Sequence, residues 1–136
     1  MGESMKILVV EDSSAMRAFV RASLEEAEGA EVFEASNGFE ALRLLPRGRY
    51  DVVVVDINMP DVNGLELISF MRSADAHRDT PVVLISTEAS AKDRERGLAL
   101  GANTFLQKPF GPDDLVGAVR SACQSSASER EERGDR

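Results

Sequence analysis

Apolar residues fall along this chain in short blocks separated by longer mixed segments. Runs rich in Ile, Leu and Val lie at Lys6 to Val10, Glu31 to Ala35, Asp51 to Val55, Val82 to Ile85 and Thr104 to Gln107. The segments between them carry apolar residues at helical spacing, and the alternation predicts βαβ units feeding one parallel sheet. The first, third and fourth runs are almost continuously apolar, as strands covered by helices on both faces must be. Burying each valine of Val52 to Val55 contributes about 1.5 kcal/mol or more, which places this run at the sheet centre. Glu31-Val32-Phe33-Glu34 has polar ends and suits an edge.

Caps and stripes predict five helices. Ser13 and Ser14 precede a stripe of Met16, Phe19, Val20 and Leu24. Asn37 and Glu40 open the second helix, Leu42 and Leu45 face inward, and Pro46 ends it. Leu65, Ile68 and Met71 mark the third. Ser90 and Asp93 stand at capping-box spacing before the fourth, whose charged run Lys92 to Arg96 leaves a thin apolar stripe and poor anchorage. The fifth has Pro112 in its first turn, then Asp113 and Asp114 where the helix dipole favours acids, then Leu115, Val116 and Val119 inward. From Gln124 onward the residues are almost all polar, too little to offset the entropy of ordering them. One domain over residues 5–123 is expected, with 124–136 a polar tail or the start of a linker.

Composition narrows the function. A length of 136 residues suits a single core. The formal net charge of −8 argues against direct nucleic-acid binding or an anionic membrane, and leaves proteins, metal cations or small phospho-compounds as partners. The lone Cys123 cannot form an internal disulfide, no secretory signal is visible, and a reducing cytoplasm is the expected location. No apolar run approaches the length of a membrane helix. His77, in the polar stretch Ser73 to Thr80, is expected to be solvated, and Cys123 to be a small core residue.

In an open parallel sheet the binding crevice lies beyond the carboxyl ends of the strands. Here strand one runs into Glu11-Asp12, strand three into Asp56, strand four into Ser86-Thr87 and strand five into Lys108-Pro109. Asp12 as a helix cap, Asp56 as a turn former or Lys108 as a surface charge would each be ordinary alone. Together they put three carboxylates, hydroxyls and one amine at one edge. Three carboxylates cannot crowd fully ionised unless a positive charge joins them. A hard cation such as Mg²⁺, which takes oxygen ligands and commonly sits beside substrate phosphate, answers that need.

These residues carry a resemblance. Glu11-Asp12, Asp56-Ile57-Asn58-Met59-Pro60 with Gly64, Ser86, Gly101-Ala102 and Lys108-Pro109-Phe110 stand in order from about Met5 to Cys123. The chain thereby resembles the CheY-like response-regulator receiver domains of two-component signalling. The resemblance implies a five-stranded, doubly wound flavodoxin-like sheet of order 2-1-3-4-5. It implies that Asp56 accepts a phosphoryl group from a phosphohistidine on a sensor histidine kinase or phosphotransfer protein. Asp12, Asp56 and the backbone carbonyl of Asn58 would hold Mg²⁺, with Glu11 acting chiefly through water. Lys108 and the hydroxyl of Ser86, with Thr87 beside it, would bind the phosphoryl oxygens. Ser86 and Phe105 would form a switch that repacks the face of helix four, strand five and helix five toward a protein target. Asn58 and Glu88 match a pair that goes with rapid loss of the phosphoryl group. Phe105 and Ala118 depart from the tyrosine and lysine of flagellar-switch-binding members, which speaks against motor binding. The Lys108-Pro109 bond could be cis.

Such a chain would be no conventional enzyme, catalysing only its own phosphorylation and dephosphorylation. It could equally be a receiver excised from a larger hybrid kinase or DNA-binding regulator. A haloacid-dehalogenase-type phosphatase would need a second aspartate where Asn58 stands. A nucleotide-binding module would want glycines in the first βα turn, which reads Glu11-Asp12-Ser13-Ser14.

Overall fold

The computed structural model describes residues 4–87 and 91–133. All five apolar runs form parallel strands: β1 (Lys6–Val10), β2 (Glu31–Ala35), β3 (Val52–Asp56), β4 (Val82–Ser86) and β5 (Thr104–Gln107). Their order is β2-β1-β3-β4-β5, so the valine strand β3 is central and β2 lies at an edge. β3 and β4 each run one residue further than their apolar runs. Ile57 N–H bonds to the Ile85 carbonyl at 2.9 Å and Lys108 N–H to the Ser86 carbonyl at 2.8 Å, which carries the ladder past Asp56 and Ser86. Asp56 and Ser86 therefore sit on strands rather than on loops.

The helices follow the caps: α1 (Ser14–Glu28), α2 (Gly38–Leu44), α3 (Gly64–Ser73), α4 (Ala91–Leu100) and α5 (Pro112–Arg133). The Ser13 hydroxyl accepts from Met16 N–H at 3.2 Å and the Asn37 side chain from Glu40 N–H at 2.8 Å. Asn63 and Glu66 form a full capping box that the periodicity alone did not signal. α1 ends at Gly29, whose φ of 60° is the left-handed conformation glycine adopts without penalty. Pro46 lies in a 3-10 turn, Leu45–Arg47, that closes α2. The proposed cap Ser90 lies outside the described residues.

Side chains alternate across the sheet and build two layers. Val53, Val55, Leu8, Val10 and Leu84 pack on the layer of Leu45, Leu67, Ile68 and Met71. Val52, Val54, Ile7, Val9 and Ile85 pack on Val20, Leu24, Leu115 and Val119 of α1 and α5. Phe105 is half-buried against the first layer, and Ala118 is buried in the second. Cys123 is half-buried beside that second layer, where burial pushes its thiol above the usual range. Among the described side chains of α4 only Gly97 is buried, and a Cβ there would run into Leu84. The Arg72 guanidinium, at the end of α3, donates to the carbonyls of Gly101, His77 and Thr80 at 2.7, 3.0 and 2.7 Å, pinning the turn after α4.

Two expectations are corrected. The segment from Gln124 is no loose tail at its start, because α5 continues to Arg133 and buries Ser126, whose hydroxyl donates to the Asp79 carbonyl. A helix already docked through Leu115, Val119 and Ala122 extends without a new nucleation cost, since each added residue gains one backbone bond for the single residue it fixes. His77 is not solvated but 2% exposed. A 3-10 turn, Asp75–His77, folds it inward, where Nε2 lies 2.6 Å from the Leu45 carbonyl, Nδ1 lies 3.3 Å from Thr80 Oγ1, and the ring stacks on Tyr50.

His77→Phe keeps most of that volume but strands the Leu45 carbonyl. It is expected to lower stability by about 1–3 kcal/mol in urea unfolding with an unchanged slope. A loss below about 0.5 kcal/mol, the level of an ordinary surface substitution, would contradict a pinning role.

Candidate functional site

The parallel order brings four strand ends to one edge. Val10 pairs in register with Val55, and Asp56 with Ile85, so the residues after β1 stand beside the last residue of β3. Glu11, Asp12 and Asp56 each offer a carboxylate oxygen, and these atoms all lie within 4.8 Å of one another. Glu11 and Asp56 are buried and Asp12 is exposed, which leaves the group open on one side.

Lys108 supplies the counter-charge. Its ammonium lies 2.7 Å from Glu11 Oε1 and 3.4 Å from Asp56 Oδ2, with only 9% of the side chain exposed. The lysine directly follows β5 and is joined to Pro109 by a cis bond. Burial pushes the Glu11 carboxyl above its ordinary value; Lys108 and the Ser13 N–H pull it down, and Asp56 adds to the rise. One amine against three carboxylates leaves two negative charges in a crowded space.

The remaining lone pairs decide which groups can take a ligand. Both Glu11 oxygens are engaged, Oε1 by Lys108 and Oε2 by the Ser13 N–H at 3.0 Å. Asp56 Oδ1 accepts from the Asn58 N–H at 3.1 Å. Among the described residues no donor is aimed at the Asp12 carboxylate. The donor set fits a hard divalent cation: oxygen ligands only, net negative charge and one solvent-facing side. Glu11, with both oxygens taken, fits a role through water better than direct ligation.

Neighbouring elements hold these groups. The Asn58 amide donates to Ser86 Oγ at 3.2 Å, linking the loop after β3 to the end of β4. Gly64 opens α3 so close to β3 that a Cβ would approach the Asp56 carbonyl to 2.6 Å. Asp61 in the same loop holds a φ of 64°, a conformation aspartate tolerates better than most residues. Thr87 is exposed beyond Ser86, and Phe105 lies on β5, where Leu84 of β4 is its partner. Glu88 lies outside the described residues. Arg17 was not singled out by its sequence position, yet its guanidinium reaches the Glu11 carbonyl at 2.9 Å.

Fold and edge together define a doubly wound α/β domain with an acidic, lysine-bridged crevice. The chain belongs to the response regulator receiver domains, whose family model matches residues 7–120. It is similar to a chemotaxis protein CheY homolog of Campylobacter jejuni, 38% identical over 126 residues covering 92% of this chain and 97% of that protein. Among solved structures it is similar to the chemotaxis response regulator CheY4 of Vibrio cholerae, with a TM-score of 0.82 and 34% identity over 88% of this chain and 99% of that one. It is also similar to the receiver domain of the sensor histidine kinase PA1611 of Pseudomonas aeruginosa, with a TM-score of 0.81 and 28% identity over 90% and 99% of the two chains. That structure has a magnesium ion coordinated in its active site cleft. The chain is thus a CheY-like receiver of two-component signalling. None of its described helices is long and apolar enough to cross a membrane.

The crowding of the three carboxylates has a cost without metal. Asp12→Asn removes one like charge from an exposed position and is expected to raise the metal-free melting temperature by a few degrees. The same variant is expected to gain less in melting temperature on addition of Mg²⁺ than the wild type does. A metal-free melting temperature that falls would show that repulsion at this edge does not outweigh what the Asp12 carboxylate contributes to folding.

Proposed function

We propose that Asp56 accepts a phosphoryl group from a phosphohistidine of a sensor histidine kinase or phosphotransfer protein, and that the modification changes the surface offered to a protein target. The observation that carries this reading is the buried Lys108 bridging Glu11 and Asp56 within a carboxylate group whose oxygens lie inside 4.8 Å. Asp12, Asp56 and the Asn58 carbonyl would hold Mg²⁺, Glu11 would act through water, and the bound ion would offset negative charge on the incoming phosphoryl oxygens.

In the transfer an Asp56 carboxylate oxygen attacks phosphorus. The new O–P bond forms as the N–P bond breaks, and the electron pair returns to the donor imidazole. Lys108 turns from the carboxylates to a phosphoryl oxygen, exchanging one charge-assisted bond for another. Ser86, with Thr87 beside it, moves toward the phosphoryl group and donates its hydroxyl hydrogen to a second oxygen, its Oγ lone pairs being what accept from the Asn58 side chain at rest. Phe105 then turns into the space vacated. α4, seated through Gly97, costs little to shift, and it carries the exposed Leu98 and Leu100. Asn58 and Glu88 tune the return, in which water attacks the acyl phosphate and inorganic phosphate leaves.

Incubation with acetyl phosphate and Mg²⁺ is expected to add one phosphoryl group, observable by intact mass, and chelation of the metal is expected to prevent it. Asp56→Asn should abolish the label, and undiminished labelling of that variant would refute the site. Asn58→Ala is expected to change the decay rate of the labelled protein by about tenfold or more, a barrier change of about 1.4 kcal/mol. An unaltered decay would remove Asn58 from the hydrolytic step.

A further inference from the structure

Arg17 lies on α1 and would ordinarily be read as a solvated helix cation. Its side chain is instead only 19% exposed and spans two elements. Nε donates to Glu34 Oε1 of β2 at 3.0 Å, and Nη1 donates to the Glu11 carbonyl at 2.9 Å, with the Asp12 carbonyl at 3.5 Å. Glu34 is itself gripped by Arg21, and the two arginines hold its carboxyl below the usual range, so the anchor stays ionised around neutral pH.

The contact matters because of what else fixes the loop between β1 and α1. Glu11 is held at its N–H by the Ala35 carbonyl at 3.0 Å and at its carboxylate by Lys108 and the Ser13 N–H. Its carbonyl is the remaining polar group, and Arg17 takes it. That carbonyl belongs to the peptide plane joining Glu11 to Asp12. Asp12 has no donor on its carboxylate among the described residues, so the direction in which that carboxylate points depends on this plane.

From this we infer that Arg17 is a positioning residue for the metal site, fixing the Glu11-Asp12 peptide against β2 so that the Asp12 carboxylate is aimed before a cation arrives. The inference rests on the Mg²⁺ site proposed for Asp12 and Asp56. The geometry uses the guanidinium fork, one nitrogen on the β2 carboxylate and another on the carbonyl, which a lysine ammonium does not reproduce.

Charge and position make opposite demands here. A guanidinium bonded to the Glu11 carbonyl at the rim of the acidic group repels an incoming cation, so if Arg17 acted only through its charge, Arg17→Ala would tighten Mg²⁺ binding. If it acts by aiming Asp12, the same change weakens binding, by about tenfold on the scale of outer-shell ligand supports. The measurement is calorimetric titration of Mg²⁺ into wild type, Arg17→Ala and Arg17→Lys, with thermal melts in chelator to confirm folding and acetyl phosphate labelling at saturating Mg²⁺. The expected result is a weakened Kd in both variants, less so in Arg17→Lys, with the labelling rate at saturation within about twofold of wild type, since a supplied excess of metal compensates for poor aim. Should Arg17→Ala fail to fold, Arg17→Lys decides alone. A Kd equal to or tighter than wild type in the folded variant overturns the inference. Absence of Mg²⁺ binding by the wild type would overturn the underlying site reading instead.

Discussion

Parallel strand order forces like charges together at one edge, and the Lys108 ammonium is what lets that edge fold. A buried lysine and two buried carboxylates each lose several kcal/mol of hydration, which their mutual attraction recovers only when geometry is close. The 2.7 Å contact to Glu11 meets that demand, while the 3.4 Å contact to Asp56 is looser. The asymmetry leaves the lysine committed to Glu11, whose two oxygens are both engaged, and only loosely held by Asp56. An arrangement left two charges short of neutrality is poised to gain from any cation that enters.

Rigid placement of those charges comes from the backbone. Asp56 and Ser86 end strands that the ladder continues past, and Gly64 lets α3 press against the Asp56 carbonyl without a side chain between them. The opposite holds for α4, which meets the sheet through Gly97. Its following turn is fastened by Arg72 to the carbonyls of Gly101, His77 and Thr80, whereas its body has little apolar area to hold it. A stiff acidic edge thus lies beside a weakly seated helix, the element that a local change in charge would cost least to move.

Much of this was legible because the features are dense and one-dimensional. Val52 to Val55 announced the central strand, Asn37 and Ser13 announced helix starts, and Asp56, Ser86 and Lys108 declared themselves by following apolar runs. What stayed hidden depends on contacts between distant segments. His77 looked solvated because its neighbours are polar; it is buried because a 3-10 turn folds it onto Leu45 and Tyr50, far away in sequence. Residues after Gln124 looked too polar to order, yet they extend a helix already anchored, and a single serine finds the Asp79 carbonyl. Arg17 sits one turn into an amphipathic helix, where composition cannot distinguish a cation reaching water from one reaching back to the preceding strand end.

The hidden features share a physical type. Each is a polar side chain satisfying the backbone of another element: His77 at Leu45, Ser126 at Asp79, Arg72 at four carbonyls and Arg17 at Glu11. Hydrophobic periodicity fixes which face of an element is buried, but says nothing of which loop carbonyl it will meet. A loop carbonyl deprived of water must find a donor, and a long side chain from a helix is the nearest supply. At the acidic edge the donor that satisfies the Glu11 carbonyl also holds the peptide plane from which Asp12 projects. A bond formed to satisfy the backbone thus also sets the aim of the carboxylate most exposed to an incoming ion.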